Sequence, residues 1–324
     1  MRVGDKGAAV ADLQQRLDAV GLPCPPDTEG LFGAGTAAAI EAFQHRRGLR
    51  VDGVCGQQTW GALVEAGLRL GDRFLYLHAP MFRGDDVADL QQRLSALGFD
   101  TGRVDGICGG LTSSALADFQ RNVSLPVDGI LGASTLRELK RVMPRHPEPE
   151  LVSSVRDRER LRQAPRTLLG RRLAVGEEGG LDVLVTAVRR QLGAAGADVV
   201  PLLHPDGSLQ AAAANAAQVE AYVGLRLDPD RTRCSASYYA GYSYESAGGR
   251  RLAELLQSLA AAALEIPSDG VEGMSLPVLR ETRMPAVICE VGPAAVVVPR
   301  VTALAHAIVE ALTVWAVTPV DDTP

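Results

Sequence analysis

Two patterns of apolar and polar positions divide the chain. Through the first 142 residues the apolar positions follow helical spacing, with Val10, Leu13 and Leu17 on one face and Val87, Leu90 and Leu94 on another. Ile40 with Phe43, and Leu116 with Phe119, extend the same pattern. From Arg171 onward, short apolar blocks alternate with helical stretches, the pattern of an α/β layer. Strands are predicted at Leu173–Val175, Asp198–Leu203, Tyr222–Leu227, Cys234–Ala240 and Ala286–Val291. Helices are predicted at Val183–Leu192, Leu209–Ala221, Gly248–Leu264 and Val301–Val317. The expected fold class is multidomain: two small all-α domains, then an α/β domain with a mostly parallel sheet.

Internal comparison sharpens the helical half. The octapeptide Val10 to Leu17 returns intact at Val87 to Leu94, Phe43-Gln44 returns at Phe119-Gln120, and Val51-Asp52-Gly53 returns at Val127-Asp128-Gly129. Inside each repeat a shorter motif occurs twice: acid, Gly, two apolar residues, Gly, two residues, Thr. Its copies start at Glu29, Asp52, Asp105 and Asp128 and end at Thr36, Thr59, Thr112 and Thr135. The acid-Gly pair predicts a turn in which glycine takes a positive φ. The threonine is expected to cap the next helix, and Thr135 with Glu138 has capping-box spacing.

These residues resemble the peptidoglycan-binding domain family, twice over, across residues 1 to about 142. The resemblance implies binding of cell-wall glycopeptide or its precursors. Most motif residues are read as holding the fold. Gln57, Gln58, Arg103 and Arg121, polar residues expected on the turns, are the candidates for ligand contact. The boundaries expected are 1–70 and 78–142 for the two domains, 143–169 for a linker and 170–318 for the α/β domain. Pro144 to Glu150 predicts an extended spacer, and the arginine-rich stretch after it a solvated, partly helical connector.

Charge and composition narrow the partners. A net charge of −6 argues against nucleic acid, and the apolar run Val301 to Val317 is broken by His306 and Glu310, so no transmembrane segment is expected. Met1 is followed at once by repeat residues rather than by a basic-then-apolar leader, which makes the cytoplasm the expected location. The five cysteines form no CxxC pair, and Cys55 and Cys108 fill the motif slot held by Phe32 and Leu131, so they read as small buried apolar residues.

In the last domain, Ala214-Asn215 and the stretch from Leu276 to Gly292 resemble zinc-dependent N-acetylmuramoyl-L-alanine amidases of the amidase-3 type. That resemblance implies a zinc held by His, Glu and His, with a further Glu as general base. The first ligand belongs in a Gly-His-Gly-Gly loop after the first strand, where this chain reads Gly176-Glu177-Glu178-Gly179-Gly180. The third belongs at the end of the Tyr222 strand, where Arg226 stands, and a guanidinium does not ligate zinc. Glu290 retains the general-base position. The remaining histidines, His45, His78, His146, His204 and His306, form no zinc-type constellation, and His306 with Glu310 reads as a surface pair.

Arg226 and Glu290 are expected to pair in the vacated site, with Glu177, Glu178 and Asn215 as further pocket candidates. The combination of two binding repeats and a degenerate amidase domain resembles the actinobacterial CwlM-type family. It implies a pseudoenzyme: a non-catalytic regulator or scaffold of cell-wall synthesis, without cofactor, that binds peptidoglycan or its precursors and an enzyme of wall synthesis. The alternative is an active zinc amidase cleaving between N-acetylmuramic acid and L-alanine.

Overall fold

The structure, a computed structural model, describes residues 1–142, 152–242 and 244–320. The proline-rich stretch Pro144 to Glu150, with His146, lies outside the described residues. Two compact units are present, Met1–Val155 with Gly241–Tyr244, and Arg156–Ala240 with Glu245–Pro324.

The first unit is helical. Its elements are α1 (Ala8–Ala19), α2 (Ala34–Arg46), α3 (Gln57–Ala66), α4 (Asp85–Ala96), α5 (Gly110–Asn122) and α6 (Ala133–Val142). Val10, Leu13, Leu17, Ile40 and Phe43 build one buried core with Cys55. Val87, Leu90, Leu94, Leu116 and Phe119 build a second with Cys108. Both cysteines are packed as apolar residues, and burial pushes the Cys108 thiol up to about 11. The second core begins before the expected boundary at residue 78. Leu75 is fully buried in it, and its carbonyl accepts from Leu131 N at 2.8 Å. Just upstream, Arg73 grips the buried Asp86 through Nε and Nη2 at 2.7 and 3.1 Å.

A glutamine on each of α1, α2, α4 and α5 fastens the motif copy that follows it. The amide of Gln44, 1% exposed, accepts from the backbone N–H groups of Asp52 and Gly53. It donates to Asp52 Oδ1, Val54 O and Thr59 Oγ1. Gln91 repeats this set on Asp105, Gly106, Ile107 and Thr112, and Gln120 repeats it on Asp128, Gly129, Ile130 and Thr135. In the first copy Glu29 replaces aspartate, and Gln14 accepts from Gly30 N and donates to Leu31 O and Thr36 Oγ1. The turn glycines Gly30, Gly53, Gly106 and Gly129 take φ between 67° and 76°, which glycine adopts without a Cβ penalty.

The threonines therefore do not cap the helices as the spacing suggested. Gly33, Gly56 and Gly109 occupy the N-caps of α2, α3 and α5 without a side-chain bond. Each threonine lies inside the first turn, buried, with its hydroxyl turned to the glutamine amide. A buried amide has a stronger claim on that hydroxyl than helix N–H groups that water reaches.

The second unit is a three-layer α/β fold. Its elements are α7 (Val152–Gln163), β1 (Arg172–Glu177), α8 (Asp182–Ala194), β2 (Asp198–Leu203), α9 (Gly207–Ala216), β3 (Ala221–Leu227), β4 (Arg233–Gly241), β5 (Tyr244–Glu245), α10 (Ala247–Leu264), β6 (Val271–Met274), α11 (Pro277–Glu281), β7 (Ala286–Gly292), α12 (Ala294–Val297) and α13 (Val301–Val317). The sheet order is β2-β1-β3-β7-β4-β5, with β6 beside β4. All pairings among β1, β2, β3 and β7 are parallel, and β4 runs antiparallel to β7. Leu161 of α7 and Leu168 pack into this sheet's core, so the connector's second half belongs to the domain rather than to a linker. Helix α9 ends at Ala216, before the predicted Ala221, because Gln218 turns left-handed at φ 52° to enter β3. The helical stretch Ala294–Val317, which ends in α13, is long and apolar enough to cross a membrane, but Leu304, Ile308, Leu312 and Trp315 are buried in the sheet's core.

Replacing Gln44 by alanine strands two backbone donors and three acceptors. It should cost roughly 2–4 kcal/mol and speed hydrogen exchange at Asp52, Gly53 and Thr59, leaving the second repeat protected. Unchanged exchange at those amides would contradict the assignment. Hydrogen bonds, led by Thr36 at Asp27 and by Ile130 N–H at Asp128, hold both carboxyls below their usual pKa. Their contribution is complete above the unfolded aspartate pKa of roughly 4 and fades as pH falls through the folded values. Acid titration followed by circular dichroism should therefore loosen this unit only below about pH 4.

Candidate functional site

Strand alternation decides which side chains meet at the sheet's carboxyl edge. Val223 and Leu225 of β3, and Val287, Cys289 and Val291 of β7, face the core covered by α8, α10 and α13. Arg226 and Glu290 consequently share the opposite face, where they are register partners. Ser235 of β4 faces Glu290 from the other side, and Arg233 donates to the Ser235 hydroxyl at 3.2 Å. Glu178 follows β1 immediately. Its carboxylate meets Arg226 Nη1 at 3.2 Å, with both side chains 30% exposed.

This corrects the expected pairing. Arg226 and Glu290 are neighbours in register, but the ion pair Arg226 makes is with Glu178. The resemblance implies the third ligand where Arg226 stands, and offers Glu177 or Glu178 for the second, the glutamate.

The other pocket candidates hold the fold. Glu177 is 4% exposed, and its Oε1 accepts from Leu181 N at 2.8 Å where α8 begins. Asn215 uses both ends of its amide on one turn, donating to Glu281 O at 2.8 Å and accepting from Arg283 N at 2.9 Å. Beneath the edge, the buried Tyr222 hydroxyl donates to Gln210 Oε1 at 2.6 Å, and Gln210 Nε2 donates to Glu177 O. A side chain at Gly176 would meet that pair at 2.1–2.2 Å, so glycine is required there. Ser235, Arg233, Gln210 and Tyr222 escaped the sequence reading. Only the register of β4 against β7 brings the first two to the edge.

The donor set does not fit zinc. A guanidinium stays protonated and has no lone pair to give. Among the described residues no three His, Cys, Asp or Glu side chains lie together as a metal site. His204 and His306 are both exposed; His204 follows β2 at the sheet's carboxyl edge, where Leu203 is the register partner of Glu177, and its Nδ1 accepts from Asp206 N at 2.9 Å. Two carboxylates and two guanidiniums along one edge form instead a charge-balanced polar surface.

In the helical unit, Gln57 and Gln58 are exposed on the first turn of α3, and Arg121 is exposed near the end of α5, bonded to Asp118. All three sit on helices rather than turns. Arg103 is only 9% exposed, which removes it from an open contact surface.

Residues 6–63 and 83–139 match the peptidoglycan binding domain family. Over 336 aligned residues the chain is 34% identical to N-acetylmuramoyl-L-alanine amidase CwlM of Mycobacterium tuberculosis, covering 90% of this chain and 81% of that protein. The chain belongs to the CwlM family. A second relative, N-acetylmuramoyl-L-alanine amidase CwlL of Bacillus licheniformis, is 31% identical over 44% of this chain and 46% of its own length. Among solved structures, the amidase Ami1 of Mycobacterium smegmatis aligns with 46% of this chain and 98% of its own, at 16% identity and a TM-score of 0.40. This CwlM-family chain thus joins two peptidoglycan-binding repeats to an amidase-like domain with a mixed, mostly parallel sheet.

A double-mutant cycle on Glu178→Ala and Arg226→Ala, read by urea unfolding, should give a coupling of about 0.5–1 kcal/mol, the scale of a half-exposed ion pair. Additive effects would show that the pair is not formed in solution.

Proposed function

We infer that this CwlM-family chain is a non-catalytic binder of peptidoglycan or its precursors. It acts in the cytoplasm as a regulator or scaffold of an enzyme of cell-wall synthesis. The observation that carries this reading is the Glu178–Arg226 ion pair at the sheet's carboxyl edge, because the amidase resemblance calls for a zinc-binding histidine where Arg226 stands. Glu290 keeps the general-base position, but in the zinc amidase mechanism that base works with a metal that lowers the water's pKa and polarises the amide carbonyl, and Arg226 cannot serve as a ligand to it. The repeats support the binding half of the reading, because their motif residues are spent on the fold and leave the exposed helix and turn surfaces for a ligand.

The names of the relatives favour a second reading, an active zinc amidase. It would require ligands other than Arg226, drawn from carboxylates already engaged in ion pairs and backbone bonds.

Incubating the full chain with muropeptides, with and without added zinc, separates the two. The regulatory reading predicts saturable binding in calorimetry and no release of L-alanyl peptide by mass spectrometry, with binding lost when residues 1–142 are deleted. Release that depends on Glu290 would establish the amidase. Undiminished binding by the deleted chain would move the ligand site to the second unit.

A further inference from the structure

We propose that the second repeat carries a dedicated sugar subsite, a slot for one N-acetylhexosamine ring between Phe74 and the Asp128 motif. The proposal rests on the reading of the repeats as binders of peptidoglycan or its precursors, and it assigns the glycan part of that ligand to one place.

The slot follows from how the segment before α4 is held. Leu75 is fully buried and its carbonyl is bonded to Leu131 N, which fixes the local backbone. Alternation then turns Phe74 and Tyr76 away from the core, with 64% and 37% of their surfaces exposed. In a chain with only 4% aromatic residues, two such rings on one cleft are a costly use of apolar surface unless something covers them. Phe74 and Tyr76 line a cleft of about 360 Å³ with Asp128, Ile130, Gly132 and Ser134.

The geometry suits a pyranose. The Phe74 ring stands beside a backbone without a side chain, since a Cβ on Gly132 would lie 3.4 Å from its Cε1. The C–H face of a sugar ring stacks on such an aromatic surface, while hydroxyls and an acetamido group need polar partners around the rim. Asp128, an acceptor at any neutral pH, holds Ile130 N–H and the Gln120 amide through Oδ1, and Ser134 is an exposed hydroxyl. Tyr76 is braced edge-on against Phe82 and His78, so the wall is rigid before a ligand arrives.

The other described copies of the motif lack this wall. At Gly109 the neighbouring side chain is Met81, at 3.8 Å from an added Cβ. At Gly33 the space is taken by the Asp27 carboxylate, and at Gly56 nothing lies within 4 Å. One slot in four therefore offers an aromatic face.

The test titrates isotope-labelled full chain with three probes: a tetrasaccharide muropeptide, a nucleotide-linked N-acetylmuramyl pentapeptide, and the free stem peptide. The sugar-bearing probes should shift the amides of residues 74–77 and 129–135, and the free peptide should not. Phe74→Ala, at an exposed position, should weaken sugar binding at least tenfold, and Phe74→Trp should restore it. Response to the tetrasaccharide alone identifies wall glycan as the source, and response to the nucleotide-linked probe alone identifies a precursor; either supports the slot. Sugar binding that shifts other amides and ignores Phe74→Ala overturns the slot but leaves the binding function standing. Equal shifts of these amides by free stem peptide overturn the assignment to sugar. Failure of all three probes to bind overturns both.

Discussion

A buried primary amide must satisfy two donors and two lone pairs, and the helical half of this protein is arranged around that demand. Each of Gln44, Gln91 and Gln120 fills its oxygen with two backbone N–H groups and shares its NH2 among a carboxylate, a carbonyl and a threonine hydroxyl. The motif residues are the partners of one side chain. Aspartate supplies an acceptor and turns the chain, glycine allows the positive φ that presents two N–H groups together, and threonine closes the set. This is why an octapeptide carrying the glutamine recurs unchanged while the residues on the exposed slots differ. With the fold fixed by so few positions, Phe74, Met81 and Asp27 are free to give each slot a different surface.

A different constraint governs the second unit. Strand alternation and the parallel register of β1, β3 and β7 bring Glu178, Arg226 and Glu290 to one edge, whatever their chemistry. The carboxyl edge of such a sheet is where α/β proteins hold ligands. Here the edge carries an ion pair and flanking polar groups, braced from below by the buried Tyr222–Gln210 pair and the close approach at Gly176. The charges along this edge neutralise one another.

Much of this was legible in the chain. The internal repeat located four helix-turn units, and apolar blocks located β2 and α13 to the residue. Strand β6, Val271–Met274, escaped because a glycine and a glutamate interrupt its apolar pattern. The capping role expected of threonine failed for a physical reason. Spacing reveals that a hydroxyl lies near a helix start but not which buried donor competes for it. The expected Arg226–Glu290 pair failed similarly, since register made them neighbours while the long arginine reached Glu178 across β1's end. Arg103 looked like a turn residue open to ligand, and only the folded chain reveals its burial.

The proposed function requires that the amidase-like edge hold an ion pair rather than a metal. Anomalous diffraction at the zinc absorption edge, from crystals grown with millimolar zinc, tests it most directly. The prediction is an absence of anomalous density within coordination distance of Glu178 and Glu290, with Arg226 ordered against Glu178. A full-occupancy peak there, with Arg226 swung away, would contradict it.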